Sequence, residues 1–121
     1  MAVSENYREY VRELFTALGG IRIRGMFGGA GIFRDDLMFG LIIEDQIYLK
    51  VDDFNRAAFE GAGQGPFLYE RKGGRTVAMS YYPIPEALYD DPDELSEWAR
   101  QAFAAAQRGA KQSPARRRKK K

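Results

Sequence analysis

The sequence predicts an α+β fold in which helices cover one face of a mostly antiparallel sheet. Apolar residues recur at helical spacing near both ends of the chain, and short runs with the spacing of strands lie between them. The links between these strands are short, so neighbouring strands should be antiparallel. We expect the order α-β-β-β-β-α-β-β-α within residues 1–108, followed by a disordered basic tail over residues 109–121.

The N-terminal segment has the pattern of an amphipathic helix. Its apolar residues follow steps of three and four, Ser4 is available as N-cap, and Gly19 and Gly20 can end the helix. The residues that follow alternate between apolar and charged over 21–24, which predicts a strand. Further strands are expected over 32–34, 37–43 and 46–51, with an Asp-Asp turn between the first two.

Four glycines lie among large apolar residues in the segment RGMFGGAGIFRD at 24–35. Glycines in this density resemble a phosphate-binding loop, but such a loop needs a helix to start directly after it so that free N–H groups face the anion. The pattern after Gly31 is that of a strand. The glycines therefore favour a bulge or a tight crossing of two strands.

The second half of the chain also contains patterns typical of helices and strands. Asp52 or Asp53 is expected to cap a short helix carrying Phe54, Ala58 and Phe59. Two more strands, over 67–71 and 76–82, should be joined by a glycine turn.

A second long amphipathic helix is expected near the C-terminus. Asp91 provides its N-cap, Pro92 its first position, and Glu94 is placed to reach back and complete a capping box. With helices covering one face of the sheet, the other face is either solvated or an interface. Its candidate interface residues are Arg22, Arg24, Tyr48, Lys50 and Tyr82.

Composition limits the chemistry available. The chain has no cysteine and no histidine, so thiol chemistry and the commonest metal ligand and general base are missing. The paired aspartates at 35–36, 52–53 and 90–93 are explained by turns and caps better than by a metal site. Nothing in the spacing of Lys50, Ser80, Tyr81 and Tyr82 demands a catalytic geometry. We expect no enzyme activity, no metal and no cofactor.

The formal charge of +2 conceals two oppositely charged parts. Residues 111–121 hold seven basic side chains and no acid, whereas residues 1–110 hold the other 12 basic and all 17 acidic ones, so the parts carry +7 and −5. A run of six cations can bind nucleic-acid phosphates without sequence preference, although a merely solvating tail is the alternative. The candidate residues are Arg116, Arg117, Arg118, Lys119, Lys120 and Lys121.

Neither a membrane-spanning run nor a signal peptide is apparent, and the missing cysteines fit a reducing compartment. We therefore expect a cytoplasmic protein without membrane contact.

Several separated blocks resemble the N-terminal domain of the TfoX/Sxy family, bacterial regulators of natural competence. They are RGMFGGAGIF at 24–33, MFGLI at 38–42, YLKVD at 48–52, FLYE at 67–70 and MSYYPIP at 79–85. The resemblance runs from about Tyr7 to Ala106. It implies a fold like that of type III secretion chaperones, with helices on an antiparallel sheet, and the formation of dimers.

The resemblance also implies a role in transcription beside the cyclic-AMP receptor protein, without catalytic residues. Full-length members carry a second, helical domain similar to helix-hairpin-helix DNA-binding modules, whereas here a short basic tail follows the α+β body. We expect a regulatory domain that binds a protein partner of the transcription apparatus, with DNA or RNA contact by the tail. The alternative is a homodimeric protein-interaction or chaperone-like module without a nucleic-acid role.

Overall fold

The computed structural model describes residues 3–26, 28–71 and 73–111. Within these ranges the chain forms the following elements in order: α1 (Glu5–Leu14), β1 (Ile21–Met26), β2 (Gly29–Arg34), β3 (Leu37–Ile43), β4 (Gln46–Lys50), α2 (Arg56–Gly61), β5 (Leu68–Glu70), β6 (Thr76–Ala78), β7 (Tyr81–Pro83), a 3-10 turn (Glu86–Asp90) and α3 (Pro92–Lys111). The predicted α+β class is confirmed, and the element order agrees except that three strands, not two, lie between α2 and α3.

The helix α1 begins where its sequence predicts but ends at Leu14, earlier than the glycines that were expected to stop it. The Ser4 hydroxyl accepts a hydrogen bond from the Tyr7 N–H at 3.1 Å, which satisfies one of the free donors of the first turn. Gly19 and Gly20, with φ of 77° and 69°, carry the chain out of the helical region and into β1.

Five strands form one antiparallel sheet in the order β1-β2-β3-β4-β7. Two-residue turns connect β2 to β3 and β3 to β4. Asp35 and Asp36 lie at φ 51° and 65° and Glu44 and Asp45 at 51° and 59°, the left-handed values that tight hairpins require. The Asp-Asp turn predicted at 35–36 is confirmed.

A bulge between β2 and β3 adds a large side chain to the core. Ile32 lies opposite Gly40 and Phe33 opposite Met38, so Phe39 is an extra residue without a partner in the register. The Phe39 side chain is fully buried, and its ring meets those of Phe15 and Phe103 edge-on at 6.1 and 6.0 Å. The bulge thus joins the sheet to α3 and to Phe15, the residue that follows α1.

The glycine-rich segment forms the hairpin of β1 and β2. A strand follows the glycines, which agrees with the predicted strand crossing and not with a phosphate-binding loop. A Cβ atom at Gly29 would overlap the carbonyl oxygen of Ile42 on β3. One at Gly31 would lie 2.7 to 2.8 Å from side-chain atoms of Met26, Phe33 and Met38. The glycines therefore permit close packing of neighbouring strands.

The predicted strand over 76–82 is wrong in one respect, because the chain changes pairing partner in its middle. β6 pairs with β5 in a separate sheet of two strands, whereas β7 pairs with β4. The change occurs at Met79 and Ser80: the Met79 N–H donates to the Phe67 carbonyl, and the Ser80 carbonyl accepts from Val51, both at 2.9 Å. A glycine turn joins β5 to β6 as predicted, with Gly73 and Gly74 at φ 89° and 82°.

The helix α3 packs on β3 and β4 and completes the core. Asp91 caps it as predicted, since its Oδ1 accepts from the Glu94 N–H at 3.2 Å. The Glu94 carboxylate does not complete the predicted capping box but accepts from the Trp98 indole N–H at 3.1 Å. The helix continues to Lys111, three residues beyond the boundary expected at 108, and residues 112–121 lie outside the described ranges.

Candidate protein-interaction surface

We call the sheet surface opposite α1 and α3 the outer face. Antiparallel pairing brings Arg24, Gly31, Leu41 and Tyr48 into one row across β1, β2, β3 and β4. Residues paired in this way share a face of the sheet. The predicted interface residues Arg24 and Tyr48 therefore lie on the same face, separated by a glycine and a leucine.

Two more predicted residues belong to the outer face. Arg22 pairs with Phe33 in the register, and its guanidinium lies 2.9 Å from an oxygen of Asp36. Lys50 pairs with Tyr81 on β7, and its ammonium donates to the Ser80 hydroxyl at 2.8 Å. The structure thus places the four residues Arg22, Arg24, Tyr48 and Lys50 on one surface.

The placement of Tyr82 on this face was wrong. Tyr82 lies opposite Leu49, whose side chain is fully buried in the core, and Tyr82 itself is only 6% exposed. Its ring meets that of Phe59 at 5.6 Å. Because strand side chains alternate, its neighbour Tyr81 takes the outer position beside Lys50.

The centre of the outer face is an apolar strip. Its members come from β2, β3, β4 and β7 and from the segment before β5; they are Phe33, Met38, Leu41, Tyr48, Phe67 and Tyr81. The rings of Tyr48 and Phe67 meet at 5.2 Å with 70° between their planes. Leu41 and Tyr81 are 8% and 7% exposed although neither belongs to the cluster beneath the helices.

Cations flank this strip on both sides. The Arg24 guanidinium lies 5.4 Å from the centre of the Phe33 ring, and the Lys50 ammonium lies 5.2 Å from that of Tyr81. Burial raises the pKa of the Tyr81 hydroxyl to about 12, so this group stays protonated at neutral pH. Aromatic, methionine and arginine side chains together are typical of protein interfaces.

Residues 67–71 and 73–80, which we call the projecting hairpin, contain the sheet of two strands and lie at the edge of the outer face. Leu68 and Tyr69 are 61% and 49% exposed. A sheet of two strands is only marginally stable in water by itself. Here the hydrogen bond from the Phe67 N–H to the Tyr81 carbonyl, at 2.8 Å, continues its ladder into β7. The hairpin thus presents apolar side chains to solvent beside the apolar strip.

An ion pair at the corner of the sheet was missed by sequence reasoning. The Asp52 carboxylate accepts from Arg108 Nε at 2.6 Å and from Nη2 at 3.0 Å. Hydrogen bonding by Arg108 holds the pKa of Asp52 below its usual value. Asp52 also accepts from the Phe54 N–H at 3.0 Å, but the prediction that Asp52 or Asp53 caps the helix is wrong, because the N-cap of α2 is Asn55. Fifty-six residues separate the two partners, so no local pattern could have indicated the pair.

The predicted helix around Phe54 starts later than expected, since α2 begins at Arg56. Phe54 lies in the preceding turn, 76% exposed, with the Arg108 guanidinium 4.2 Å from its ring centre.

A cavity lies beside the turn between β3 and β4. It has a volume of about 590 Å³ and is lined by Tyr7, Tyr10, Glu44, Asp45, Gln46, Glu86, Tyr89 and Asp90. The Tyr7 hydroxyl donates to the Asp45 carbonyl, and the Tyr89 hydroxyl accepts from the Ile47 N–H, both at 2.8 Å. Burial is the main cause that raises the pKa of both tyrosines. These two hydrogen bonds hold the β3–β4 turn and the start of β4 against α1 and the 3-10 turn.

Metal sites and membrane-spanning helices are both absent from the described ranges. In that part of the chain no group of three or more carboxylates is arranged to hold a metal ion. None of the helices described has the length and apolar composition needed to cross a bilayer. The six tail cations at 116–121 lie outside the described residues.

Comparison with known proteins gives a family match and two relatives. The sequence model of the TfoX N-terminal domain matches residues 13–106. The chain is 29% identical over 102 residues to DNA transformation protein TfoX1 of Aliivibrio fischeri, which covers 84% of this chain and 46% of that protein. It is 26% identical over 95 residues to Protein Sxy of Escherichia coli, which covers 78% of this chain and 45% of that protein. The chain thus spans just under half the length of each relative.

Proposed function

Since the chain belongs to the TfoX N-terminal domain family, we propose that it is a non-enzymatic regulatory domain with a competence-related role in transcription. It acts in the cytoplasm by binding a protein partner through the outer face. One relative bears the name DNA transformation protein, which supports the competence-related part of the proposal. The absence of cysteine from the sequence fits a reducing compartment.

The apolar strip carries the proposal of a protein partner. Met38 and Phe33 are only partly buried, and the strip is flanked by Arg24 and Lys50. Apolar side chains at the centre with charged groups around them are the arrangement by which proteins exclude water on association. The polar groups nearby have partners already, as Lys50 binds Ser80 and Asp52 binds Arg108. Because these polar side chains are already hydrogen-bonded within the chain, the surface is better suited to binding a partner than to catalysis.

A genetic experiment tests the regulatory role. The gene is removed from its bacterium and replaced by the wild type, by Met38→Glu or by Ala57→Glu, and transformation frequency and transcripts of DNA-uptake genes are measured. Ala57 is exposed on α2, away from the strip, so it controls for the added charge. We expect Met38→Glu to lower both readouts at least tenfold while Ala57→Glu behaves as wild type.

Two outcomes would contradict this proposal. Unchanged transformation after gene removal would argue against a competence-related role. Wild-type behaviour of Met38→Glu would argue against the outer face, provided that circular dichroism shows both variants folded.

For the tail we propose sequence-independent contact with nucleic acid through Arg116, Arg117, Arg118, Lys119, Lys120 and Lys121. If all six cations engage phosphates, log K should fall with log salt with a slope of about −4 to −5. Fluorescence anisotropy with labelled DNA and RNA compares the full chain with a chain that stops at Lys111. Equal binding by both forms would remove the tail from the mechanism.

The homodimeric alternative is favoured by the exposed Leu68 and Tyr69 of the projecting hairpin. Light scattering at high micromolar concentration tests it, with Leu68→Ser as the variant expected to weaken the dimer. A monomeric wild type at that concentration would reject this alternative.

A further inference from the structure

The strand β1 forms one end of the five-stranded sheet. In the part of the chain that the structure describes, β1 makes backbone hydrogen bonds with β2 and with no other segment. The other end strand, β7, is engaged differently, since its Tyr81 carbonyl accepts from Phe67. The outer edge of β1 thus presents a row of backbone donors and acceptors over residues 21–26.

Exposed edge strands are usually protected from further pairing by short length, proline, bulges or charge. The edge of β1 has few of these features. β1 is six residues long, contains no proline, and pairs with β2 without a register shift. Its protection consists of charge alone, supplied by Arg22 and Arg24. Such an edge can accept another strand whose charges are complementary.

The charges along this edge are mainly positive. A groove of about 340 Å³ runs between α1 and β1 and is lined by Arg12, Ile21, Arg22, Ile23 and Arg24. At the far end of the strand, a Cβ on Gly25 would lie 3.2 Å from Arg8 Nη2, so a fourth arginine is close. The acids facing these groups are Glu5 and Glu9 beside Arg12, and Asp36 beside Arg22. All three ion pairs are exposed and can be exchanged at little cost.

We propose that the free edge of β1 binds an extended segment of a partner protein in which acidic and apolar residues alternate. The alternation follows from β1 itself. Arg22 and Arg24 lie on the outer face, whereas Ile21 and Ile23 lie on the helix side. An added strand would place every second side chain opposite the arginines and the others beside the isoleucines. The proposal rests on the proposed function only in taking the partner to be a protein.

A second copy of this chain is a poorer occupant of the edge. If two β1 strands paired antiparallel about Ile23, Arg22 of each copy would face Arg24 of the other. Like charges directly opposite one another destabilise a sheet. A segment as basic as 116–121 would be a poor occupant for the same reason. Charge therefore selects an acidic strand from elsewhere.

Peptide binding tests the proposal with the full chain. Fluorescence anisotropy is measured with a labelled peptide of alternating Glu and Val and with its Lys and Val counterpart. We expect the acidic peptide to bind at low salt and the basic one to bind at least tenfold more weakly. The double variant Arg22→Glu/Arg24→Glu should lose at least tenfold of the affinity for the acidic peptide, whereas Arg100→Glu on α3 should not. Equal binding of the two peptides, or no effect of the double variant, would overturn the proposal.

Two peptides methylated on different backbone nitrogens distinguish strand addition from simple charge attraction. In a strand, alternate N–H groups point to opposite sides, so methylating one alternate set removes the donors to β1 and methylating the other leaves them. We expect one isomer to lose at least tenfold in affinity and the other to retain it. Equal affinity of both isomers would overturn strand addition. None of these peptide-binding outcomes depends on transformation frequency. A failure of the strand-addition proposal can therefore be distinguished from a failure of the proposed regulatory role.

Discussion

Asp52 and Arg108 join the end of β4 to the last turns of α3 through two hydrogen bonds, of 2.6 and 3.0 Å. Their side chains are 26% and 32% exposed, so water screens the pair only partly. The same guanidinium lies over the Phe54 ring. The pair therefore fixes the C-terminal part of α3 against the sheet and orders the turn that precedes α2.

Replacing Asp52 by Asn should destabilise the fold by about 1–2 kcal/mol, because a charged, two-point hydrogen bond is lost from a partly buried site. Urea denaturation measures the change. Asp53→Asn is the matched control, since Asp53 makes a single exposed pair with Arg56 and should cost less than about 0.5 kcal/mol. An equal loss in both variants would contradict a special contribution of Asp52.

The contribution of Asp52 should depend on pH. Because Arg108 lowers the pKa of Asp52 in the folded state, the stabilisation is present above the unfolded value, near pH 4, and is lost as the pH falls through the folded pKa. The difference in unfolding free energy between wild type and Asp52→Asn should therefore shrink in acid. A difference that stays constant from neutral pH to about pH 2 would refute this account.

Buried tyrosines should make the fold sensitive to alkali. The Tyr81 hydroxyl has a pKa of about 12 when folded, against about 10 when unfolded, so the unfolded state releases this proton first as the pH rises. Stability should fall above about pH 10, by at most about 1.4 kcal/mol per pH unit from this group. Urea titrations of Tyr81→Phe should show a shallower decline, whereas those of Tyr69→Phe, at an exposed site, should follow wild type.

Gly29→Ala should destabilise the protein by about 1–3 kcal/mol, because the added Cβ would overlap the Ile42 backbone oxygen and force the strands apart. The same substitution at Gly65 meets open space and should be neutral or slightly stabilising. Thermal unfolding of the two variants compares them directly. A neutral Gly29→Ala would show that the strand spacing is adjustable at this position.

Removal of the bulged side chain tests its place in the core. Phe39→Ala should cost about 3–5 kcal/mol, as expected for a fully buried phenylalanine. The same change at Phe54, which is 76% exposed, should cost less than about 1 kcal/mol. Similar losses at both positions, measured in urea, would contradict the bulge geometry.

The sequence predicted those parts of the fold that depend on neighbouring residues. The Ser4 and Asp91 caps, the turn at Asp35 and Asp36, and the glycines that lead into β1 each follow from local hydrogen bonding or backbone freedom. Four of the five predicted interface residues also lie on one surface, because strand alternation is a local property.

The features that could not be predicted involve distant partners. The face that Tyr82 occupies depends on its pairing with β4. The division of the predicted 76–82 strand depends on hydrogen bonds from distant residues, since Met79 donates to Phe67 and Ser80 accepts from Val51. The extra position of Phe39 depends on the register between β2 and β3. None of these relationships has a signal within a short window of sequence.

The bend at Met79 and Ser80 makes the projecting hairpin a separate module. β5 and β6 form their own sheet of two strands, which is linked to the main sheet at its base, where Phe67 donates to Tyr81 and Ser80 accepts from Val51. Changes in the length or side chains of β5, β6 and the turn between them would leave these links at the base, the register of the main sheet and the core beneath α3 in place. Selection for a new partner and selection for a stable fold can therefore act on different stretches of the same short chain.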